Sequence, residues 1–247
     1  MLAALEEREF VRVADLSDMF GISEVTVRSD LEALQEAGQL RRVHGGAVVA
    51  PPRPERPFEQ SLGAQAEEKR RMGEAAAALV TSGETIILDV GSTTAAVARA
   101  LVARTDLTDI ICFTNGLKVA LELEPAIPRF TVVLTGGTLR PLQHSLVDPL
   151  AGVILDEIHA DTVFLGCNGI DVEAGVTNVN LPEAEIKRRM VSAARRRIVV
   201  ATGDKLGETS LAPLCKIEDV TTLITDASAD PGLVTGLREA ALEVLVV

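Results

Sequence analysis

Residues 23–49, SEVTVRSDLEALQEAGQLRRVHGGAVV, decide the fold of the N-terminal part of this chain. Ser23 is a favourable N-cap residue, because its hydroxyl can accept a hydrogen bond from an amide of the first helical turn. Val27, Leu31 and Leu34 follow at the spacing i, i+4, i+7, which places three apolar side chains on one helix face. The stretch therefore predicts an amphipathic helix that begins just after Ser23.

A short β-hairpin is predicted directly after this helix. Gly38 favours the helix end, since glycine tolerates the left-handed conformation found there. Residues 40–43, LRRV, then predict a strand, and Gly45-Gly46 predicts a tight turn. A helix followed by a basic hairpin is typical of a recognition helix with a β-wing.

The exposed side of the helix and the basic hairpin carry side chains that suit DNA. A valine methyl group fits thymine, a guanidinium fits guanine or phosphate, and hydroxyl groups fit either. The candidate DNA-contact residues are Ser23, Glu24, Val25, Thr26, Arg28, Ser29, Arg41, Arg42 and His44.

The preceding residues complete a helix-turn-helix over residues 11–30. VRVADLSDMF, residues 11–20, predicts a short strand and a small helix with Val13, Leu16 and Phe20 buried. Gly21-Ile22 then predicts the turn into the second helix. From periodicity alone, an ordinary helix pair packed in a core fits equally well.

The segment 11–49 resembles the winged helix-turn-helix of the DeoR family of bacterial repressors, also called the GlpR family. The family often has a basic residue where this chain has Ser29, and residues 1–7 cover only the last part of the family's first helix, which is thus truncated. The matching residues are Leu16, Phe20, Ser23, Thr26, Val27, Arg28, Asp30, Leu31, Leu34, Gly38, Leu40, Arg41, His44, Gly45, Gly46 and Ala47.

Composition indicates a globular protein of the reducing cytoplasm. The chain has 247 residues, of which 47% are hydrophobic and 24% charged. It has no apolar run long enough to span a bilayer and no signal peptide, so no membrane partner is expected. The odd set Cys112, Cys167 and Cys215 gives neither a metal pattern nor a disulfide framework, and no metal or cofactor is expected.

The net charge of −12 is unfavourable for binding DNA, but one local surface makes that contact. Arg28, Arg41 and Arg42 concentrate positive charge on the predicted recognition helix and wing. We therefore expect modest non-specific affinity, and binding to a specific site that requires a dimer and falls steeply with salt.

A proline-rich segment predicts the domain boundary. Pro51, Pro52, Pro54 and Pro57 fall within seven residues, a composition typical of an extended spacer. We therefore predict a DNA-binding domain at residues 1–50, a linker at 51–66 and a second domain at 67–247.

The second domain is predicted to have an α/β fold, with a mainly parallel open sheet covered by helices on both faces. Segments with strand character alternate with amphipathic segments along this part of the chain. The predicted strands are residues 85–89, 109–113, 129–134, 162–165, 197–201, 222–225 and 243–247.

Polar turns follow four of these strands, where open α/β sheets bind ligands. Glycines let the backbone approach an anion, while hydroxyl groups and helix N-terminal amides donate to phosphate oxygens. One such turn is weak support for a site, but four at the same kind of junction predict a shared pocket. The candidate residues in these turns are Asp89, Gly91, Ser92, Thr93, Thr94, Thr114, Asn115, Gly116, Gly136, Gly137, Arg140, Gly166, Asn168 and Gly169.

The turns resemble those of the sensor domain of the same family over residues 67–247. That domain is similar in fold to ribose-5-phosphate isomerase and to coenzyme A transferase subunits, and the resemblance implies a phosphorylated sugar as effector. The family's D-x-G-S-T turn matches Asp89 to Thr93, which implies phosphate binding by Ser92, Thr93 and Thr94 and sugar-hydroxyl binding by Asp89.

Two further family motifs add candidate effector ligands. The E-x-E-x-K motif matches Glu183 and Lys187, which are expected to line the pocket. Lys205 matches the lysine of a D-S-S-K turn, although Thr202 stands where the family has aspartate, and Asp204 is displaced beside Lys205.

Each of these assignments has a structural alternative. The Asp89 carboxylate could simply be satisfied by loop amides. Glu183 and Lys187, at i and i+4, could form a solvent-facing ion pair. The basic run over residues 188–197 is interpreted as a solvated helix face.

Three functional hypotheses follow. In the first, the chain is a homo-oligomeric repressor of carbohydrate-metabolism genes that binds double-stranded operator DNA and is released by a phosphorylated sugar. In the second, it is a sugar-phosphate isomerase or transferase with an appended DNA-binding module, using Asp89, Glu183 and Lys187. In the third, it is a ligand-binding module without a role on DNA.

Overall fold

A computed structural model describes residues 11–36, 40–43, 46–49 and 55–247 of the chain. The chain divides into two compact units, Met1–Glu55 and Arg56–Val247, called here the N-terminal and C-terminal units. The predicted first helix at residues 1–7, and Gly38, His44 and Gly45, lie outside the described residues.

The N-terminal unit contains the predicted helix pair and hairpin. Strand β3 pairs antiparallel with both β1 and β2, so the small sheet has the order β1-β3-β2. The elements are β1 (Val11–Arg12), α1 (Val13–Phe20), α2 (Glu24–Glu36), β2 (Leu40–Val43) and β3 (Gly46–Val49).

Apolar side chains from both helices form the core of this unit. Leu16 of α1 and Val27 and Leu31 of α2 are fully buried, and Leu34 packs against them partly buried. The predicted stripe is therefore confirmed. Phe20 was predicted to be buried but is 45% exposed, because α1 ends at this residue and the chain turns away at a left-handed Gly21.

Part of the predicted linker at 51–66 forms a helix; residues 51–54 of it lie outside the described residues. Residues Phe58–Gly63 form helix α3, and Phe58 is only 3% exposed within the core of the C-terminal unit. Phe58, which the sequence analysis assigned to the linker, thus packs within the fold of the C-terminal unit.

The C-terminal unit is built on a seven-stranded parallel sheet, as predicted, with the order β15-β14-β12-β9-β4-β5-β6. Its strands are β4 (Thr85–Leu88), β5 (Ile110–Thr114), β6 (Phe130–Leu134), β9 (Ala160–Leu165), β12 (Ala194–Val200), β14 (Thr222–Thr225) and β15 (Glu243–Val246). The helices after α3 are α4 (Ala66–Ala78), α5 (Ser92–Ala103), α6 (Leu117–Leu123), α7 (Ala151–Asp156), α8 (Leu181–Ala193) and α9 (Pro231–Glu239).

Helices cover both faces of this sheet. Successive residues of a strand point to opposite sides, so each strand contributes to a core on each face. Ile86 and Leu88 of β4 pack in one core with α3 to α6, whereas Ile87 packs in the other with α7 to α9. The fully buried strand residues explain why the strands form apolar runs rather than an alternating pattern.

The strand order reverses between β4 and β9. From β4 the chain adds β5 and β6 toward one edge, and then β9, β12, β14 and β15 on the other side. Ligands of open α/β sheets bind outside the carboxyl ends of the strands at such a switch point. The turns after β4 and β9 are therefore the expected centre of a site.

Short elements that the sequence analysis did not predict surround this switch point. One is an antiparallel hairpin of β7 (Thr138–Arg140) and β8 (Ser145–Val147). Another is a small antiparallel sheet of β10 (Gly169–Asp171), β11 (Gly175–Asn178) and β13 (Ala212–Cys215).

Candidate functional site

Helix α2, the predicted recognition helix, presents several of the predicted contact residues to solvent. Ser23 caps the helix, since its Oγ accepts a hydrogen bond from the Thr26 amide at 3.2 Å. Val25 is 77% exposed, so its methyl groups are open to solvent on this helix. Arg28 is also exposed and pairs with Glu24, one turn earlier, at 3.1 Å.

The structure describes some of the remaining predicted DNA-contact residues but not all of them. Ser29 is exposed on α2. Arg41 and Arg42 lie on strand β2, and their side chains are outside the described residues, as is His44.

A buried ion pair lies at the switch point of the sheet. Asp89 follows β4 and Lys187 lies on α8; both are almost fully buried, and Lys187 Nζ donates to Asp89 Oδ2 at 2.5 Å. Gly166, after β9, donates its amide to the same Oδ2 at 2.9 Å and accepts from Lys187 Nζ at 2.8 Å. The first and fourth predicted turns thus meet at one carboxylate.

The second oxygen of Asp89 is the unusual feature of this pair. Oδ1 is buried and has no hydrogen-bond partner among the described residues. Burial raises the pKa of Asp89, against the opposing effect of Lys187. Burial alone would lower the pKa of Lys187, but the carboxylates of Asp89 and Glu183 outweigh it and raise that pKa. The loop-amide alternative for Asp89 accounts for one of its oxygens and leaves the other free.

Glu183 forms a second buried cluster beside this pair. Its Oε1 accepts hydrogen bonds from the Arg140 guanidinium and, at 2.5 Å, from Ser145 Oγ. Glu183 and Lys187 are both buried, so the solvent-facing ion pair is excluded. Asn180 caps α8 by accepting from the Glu183 amide, which fixes the start of this helix.

The N-terminus of α5 supplies unpaired donors directly after Asp89. Gly91 has φ 139°, a conformation that favours glycine, and no side chain caps the helix. Among the described residues, the amides of Ser92, Thr93 and Thr94 have no acceptor. The Thr94 hydroxyl donates to Gly91 O at 2.9 Å, so Ser92 and Thr93 are left as the hydroxyl donors of this turn. Such a helix start can bind an anion.

Side chains of the turn after β5 hold the loops around Asp89 in place. The Asn115 side chain accepts from the Val90 amide at 3.1 Å and donates to Leu146 O at 3.2 Å. Thr114 Oγ1 accepts from the Gly116 amide at 3.1 Å. These side chains are buried and occupied by loop contacts, so they hold the Asp89 turn and β8 in place.

The other predicted residues have contacts that explain them structurally. A Cβ at Gly137 or Gly169 would lie within 2.4 Å of Val147 O or Glu208 O, respectively, so both glycines permit close packing. Gly136 is exposed. Asn168 Oδ1 accepts from the Val179 amide at 3.2 Å, which ties the turn after β9 to the residue that follows β11.

Lys205 lies in a short helical turn, Gly203–Lys205. Burial raises the pKa of the Cys167 thiol beside Gly166, and the positive charge of Lys205 opposes this rise. In the same turn, Thr202 Oγ1 donates to Asp204 Oδ1 at 2.6 Å. Thr202, which replaces the family's aspartate, therefore orients the displaced Asp204.

Sequence reasoning missed Ser145, whose hydroxyl contacts Glu183. It lies in an apolar strand, and no local pattern distinguishes it. The interpretation of the basic run as a helix face is correct for Arg188 and Arg189, which lie partly exposed on α8, but wrong for residues 195–197, which lie on strand β12. Arg196 pairs there with Glu84 at 2.7 Å. Residues 195–197 therefore follow the two-residue alternation of side chains along a β-strand and not one face of a helix.

Comparison with known families decides the identity of the fold. Residues 1–53 match the DeoR-like helix-turn-helix domain, and residues 64–227 match the DeoR C terminal sensor domain. The chain belongs to the DeoR family. Family membership favours a transcriptional regulator over the enzyme hypothesis and over a ligand-binding module without a role on DNA.

Relatives within the DeoR family align over most of their length. The transcriptional repressor CsqR of Escherichia coli is 31% identical over all of this chain and 93% of its own. The regulator GlpR of Haloferax volcanii is 37% identical over 88% of this chain and 84% of its own. The glycerol-3-phosphate regulon repressor of Escherichia coli is 28% identical over 92% of this chain and 88% of its own.

Solved structures that match this DeoR-family chain share little sequence with it. Ribose-5-phosphate isomerase A of Methanocaldococcus jannaschii is 18% identical over 57% of this chain and 55% of its own, with a TM-score of 0.43. The sorbitol operon regulator SorC of Klebsiella pneumoniae is 14% identical over 92% of this chain and 94% of its own, with a TM-score of 0.42. Within the described ranges, no helix is long and apolar enough to cross a membrane.

Proposed function

We propose that this DeoR-family regulator is a repressor that releases its operator when the C-terminal unit binds a phosphorylated sugar. The observation that carries the proposal is the buried, unpartnered Oδ1 of Asp89 beside the unpaired amides of α5. An unpaired buried acceptor is unfavourable, and a sugar hydroxyl would satisfy it.

The two halves of such a ligand fit the two halves of the site. The phosphate would accept hydrogen bonds from the amides of Ser92, Thr93 and Thr94 and from the hydroxyl groups of Ser92 and Thr93. The positive end of the helix dipole would favour its negative charge. The sugar would extend toward Asp89 and Lys187, where one hydroxyl donates to Oδ1. Arg140, which donates a hydrogen bond to Glu183, would add a guanidinium that can bind the phosphate.

The relatives support both the repression and the class of ligand. Two of them are named as repressors, and one of those is named for the glycerol-3-phosphate regulon. DNA binding is assigned to the exposed face of α2 and to the hairpin β2–β3. We include in the proposal a homo-oligomer, because two recognition helices are needed to read repeated half-sites.

Fluorescence anisotropy of labelled DNA from upstream of the protein's own gene tests this function. The label belongs on the DNA, because the chain has no Trp or Tyr. Glycerol 3-phosphate, ribose 5-phosphate and fructose 6-phosphate would be added at fixed salt, with the unphosphorylated compounds as controls. We expect one phosphorylated compound to release the DNA, whereas its unphosphorylated counterpart does not. Binding that no phosphorylated sugar alters would contradict the effector assignment.

A further inference from the structure

The hairpin β7–β8 touches both the candidate effector site and the first residues of the C-terminal unit. Its two strands, Thr138–Arg140 and Ser145–Val147, are joined by a turn at residues 141–144. The site contacts come from the strands, and the other contacts come from the turn. One short element therefore spans the distance between the two places.

On the site side, the hairpin is bonded to two groups of predicted ligands. Arg140 and Ser145 both donate to Glu183, as described above. Asn115 O accepts from the Leu146 amide at 2.8 Å, and the Asn115 side chain donates to Leu146 O. A change in the position of Glu183 or Asn115 must therefore shift the hairpin or break these bonds.

On the other side, the turn holds the chain where it enters the C-terminal unit. The Phe58 amide donates to Leu142 O at 2.9 Å, and Gln143 Nε2 donates to Arg56 O at 2.5 Å. His144 Nε2 lies 2.6 Å from Glu59 Oε1, and the His144 ring packs edge-on against Phe58 with ring centroids 5.9 Å apart. Arg56 directly follows the last residue of the N-terminal unit.

The two strands of the hairpin are anchored differently: Leu146 and Val147 of β8 are buried in the core of the C-terminal unit, whereas β7 is largely exposed. Leu139 and Leu142 are exposed, and a two-stranded hairpin has little stability of its own. The contacts with Glu183 and with residues 56–59 therefore act together with the packing of β8 in setting the position of the hairpin. Arg140 is a natural partner for a phosphate, so a ligand in the site would compete with Glu183 for this guanidinium.

We propose that the hairpin β7–β8 transmits occupancy of the effector site to residues 56–59, through which the DNA-binding unit is joined to the sensor unit. The proposal rests on the proposed function, because it requires a ligand at this site. A ligand that binds one hairpin position better than the other shifts the equilibrium between them by that difference in affinity.

Hydrogen–deuterium exchange of the full chain, with and without saturating inorganic phosphate, tests the transmission. We expect exchange to change at residues 57–63 as well as at 138–147. In Glu59→Gln, phosphate affinity by calorimetry and the hairpin response should remain, while the response at 57–63 falls several-fold. Glu122→Gln, an exposed glutamate paired with Arg99, is the matched control and should behave as wild type. An unchanged response at 57–63 in Glu59→Gln would overturn the proposal.

A ligand-free measurement separates this proposal from the proposed function. Glu183→Gln weakens the bonds to Arg140 and Ser145, and we expect faster exchange at 57–63, although Glu183 does not touch that segment. Ser145→Ala serves the same purpose if Glu183→Gln fails to fold. Faster exchange at 138–147 without any change at 57–63 would overturn the transmission. Absence of phosphate binding in the wild type, by contrast, would count against the proposed function.

Discussion

In the N-terminal unit the candidate contact residues lie on the surface of α2, whereas in the C-terminal unit the candidate ligands lie inside the fold. Val25 is 77% exposed, and Arg28 pairs with Glu24 at the surface. Asp89 and Lys187, by contrast, are buried together, and one short hydrogen bond joins them.

This difference separates two relations between function and stability. An exposed DNA-contact residue contributes little to folding, so its substitution should reduce DNA affinity alone. A buried charge depends on its partner, because the cost of removing each group from water is offset only within the pair. Substitutions in the effector site should therefore affect folding as well as ligand binding.

The largest effect is expected for Lys187→Met, which leaves the Asp89 carboxylate buried without its cation. We expect the free energy of unfolding to fall by about 3–5 kcal/mol. Urea denaturation followed by far-UV circular dichroism measures this loss. Lys216→Met, at an exposed lysine, should change stability by less than about 0.5 kcal/mol. A loss below about 1 kcal/mol in Lys187→Met would show that the pair is not needed for folding.

The next effect concerns DNA. Arg28→Ala should weaken operator binding by roughly 10- to 100-fold and leave the unfolding free energy nearly unchanged, because this side chain is exposed. Arg99→Ala, which removes an exposed arginine of the sensor unit, is the matched control. Anisotropy at one stated salt concentration compares the variants. Equal DNA affinity in Arg28→Ala and wild type would remove Arg28 from the contact surface.

A smaller effect is expected at the start of α5. Thr93→Val preserves the shape of the side chain but removes a hydroxyl donor, and should weaken binding of a phosphorylated effector about tenfold. Thr94→Val should weaken it less, since that hydroxyl already donates to Gly91 O. Calorimetric titration of both variants distinguishes them. A larger loss in Thr94→Val than in Thr93→Val would contradict the assignment of hydroxyl donors.

The smallest effect is a pH dependence at Lys69, which donates to the carbonyls of Ser61 and Ala64. Burial, followed by the positive charges of Lys205 and Arg56, lowers the pKa of Lys69 from 10.5 to about 8. Between pH values equal to these two pKa values, Lys69 carries a proton in the unfolded chain that it has lost in the folded chain. The free energy of unfolding therefore rises with pH across this window.

Relative to Lys69→Met, the wild type should thus gain on the order of 1 kcal/mol between about pH 7 and about pH 9.5, after allowance for solvent screening. Urea denaturation of both proteins at the two pH values gives this difference. Lys216→Met should show no such gain. A wild type that instead loses stability relative to Lys69→Met across this window would contradict the lowered pKa.

The sequence was most informative where structure is local. Ser23, Val27 and Leu31 are a few residues apart, so the cap and the apolar stripe of α2 could be predicted from spacing alone. The parallel sheet followed from the alternation of strand and helix patterns. Phe20 was misassigned because helical periodicity does not show where the helix ends.

The effector site could be predicted only in outline. Asp89 and Lys187 are far apart in sequence, and only the fold brings them to one hydrogen bond. Ser145 lies in the hairpin β7–β8, whose short strands carry too few residues for a periodic pattern. Phe58 was placed in a linker because the prolines before it dominate local composition, while its burial depends on distant residues.

The most direct test of the account is the reciprocity of its two ligands. The affinity for the effective phosphorylated sugar would be measured by calorimetry with the free protein and with its complex with upstream DNA. If effector and operator favour different states, DNA must weaken effector binding by the same factor by which the effector weakens DNA binding. We predict equal factors greater than one. Effector affinity that does not change when DNA is bound would contradict the account.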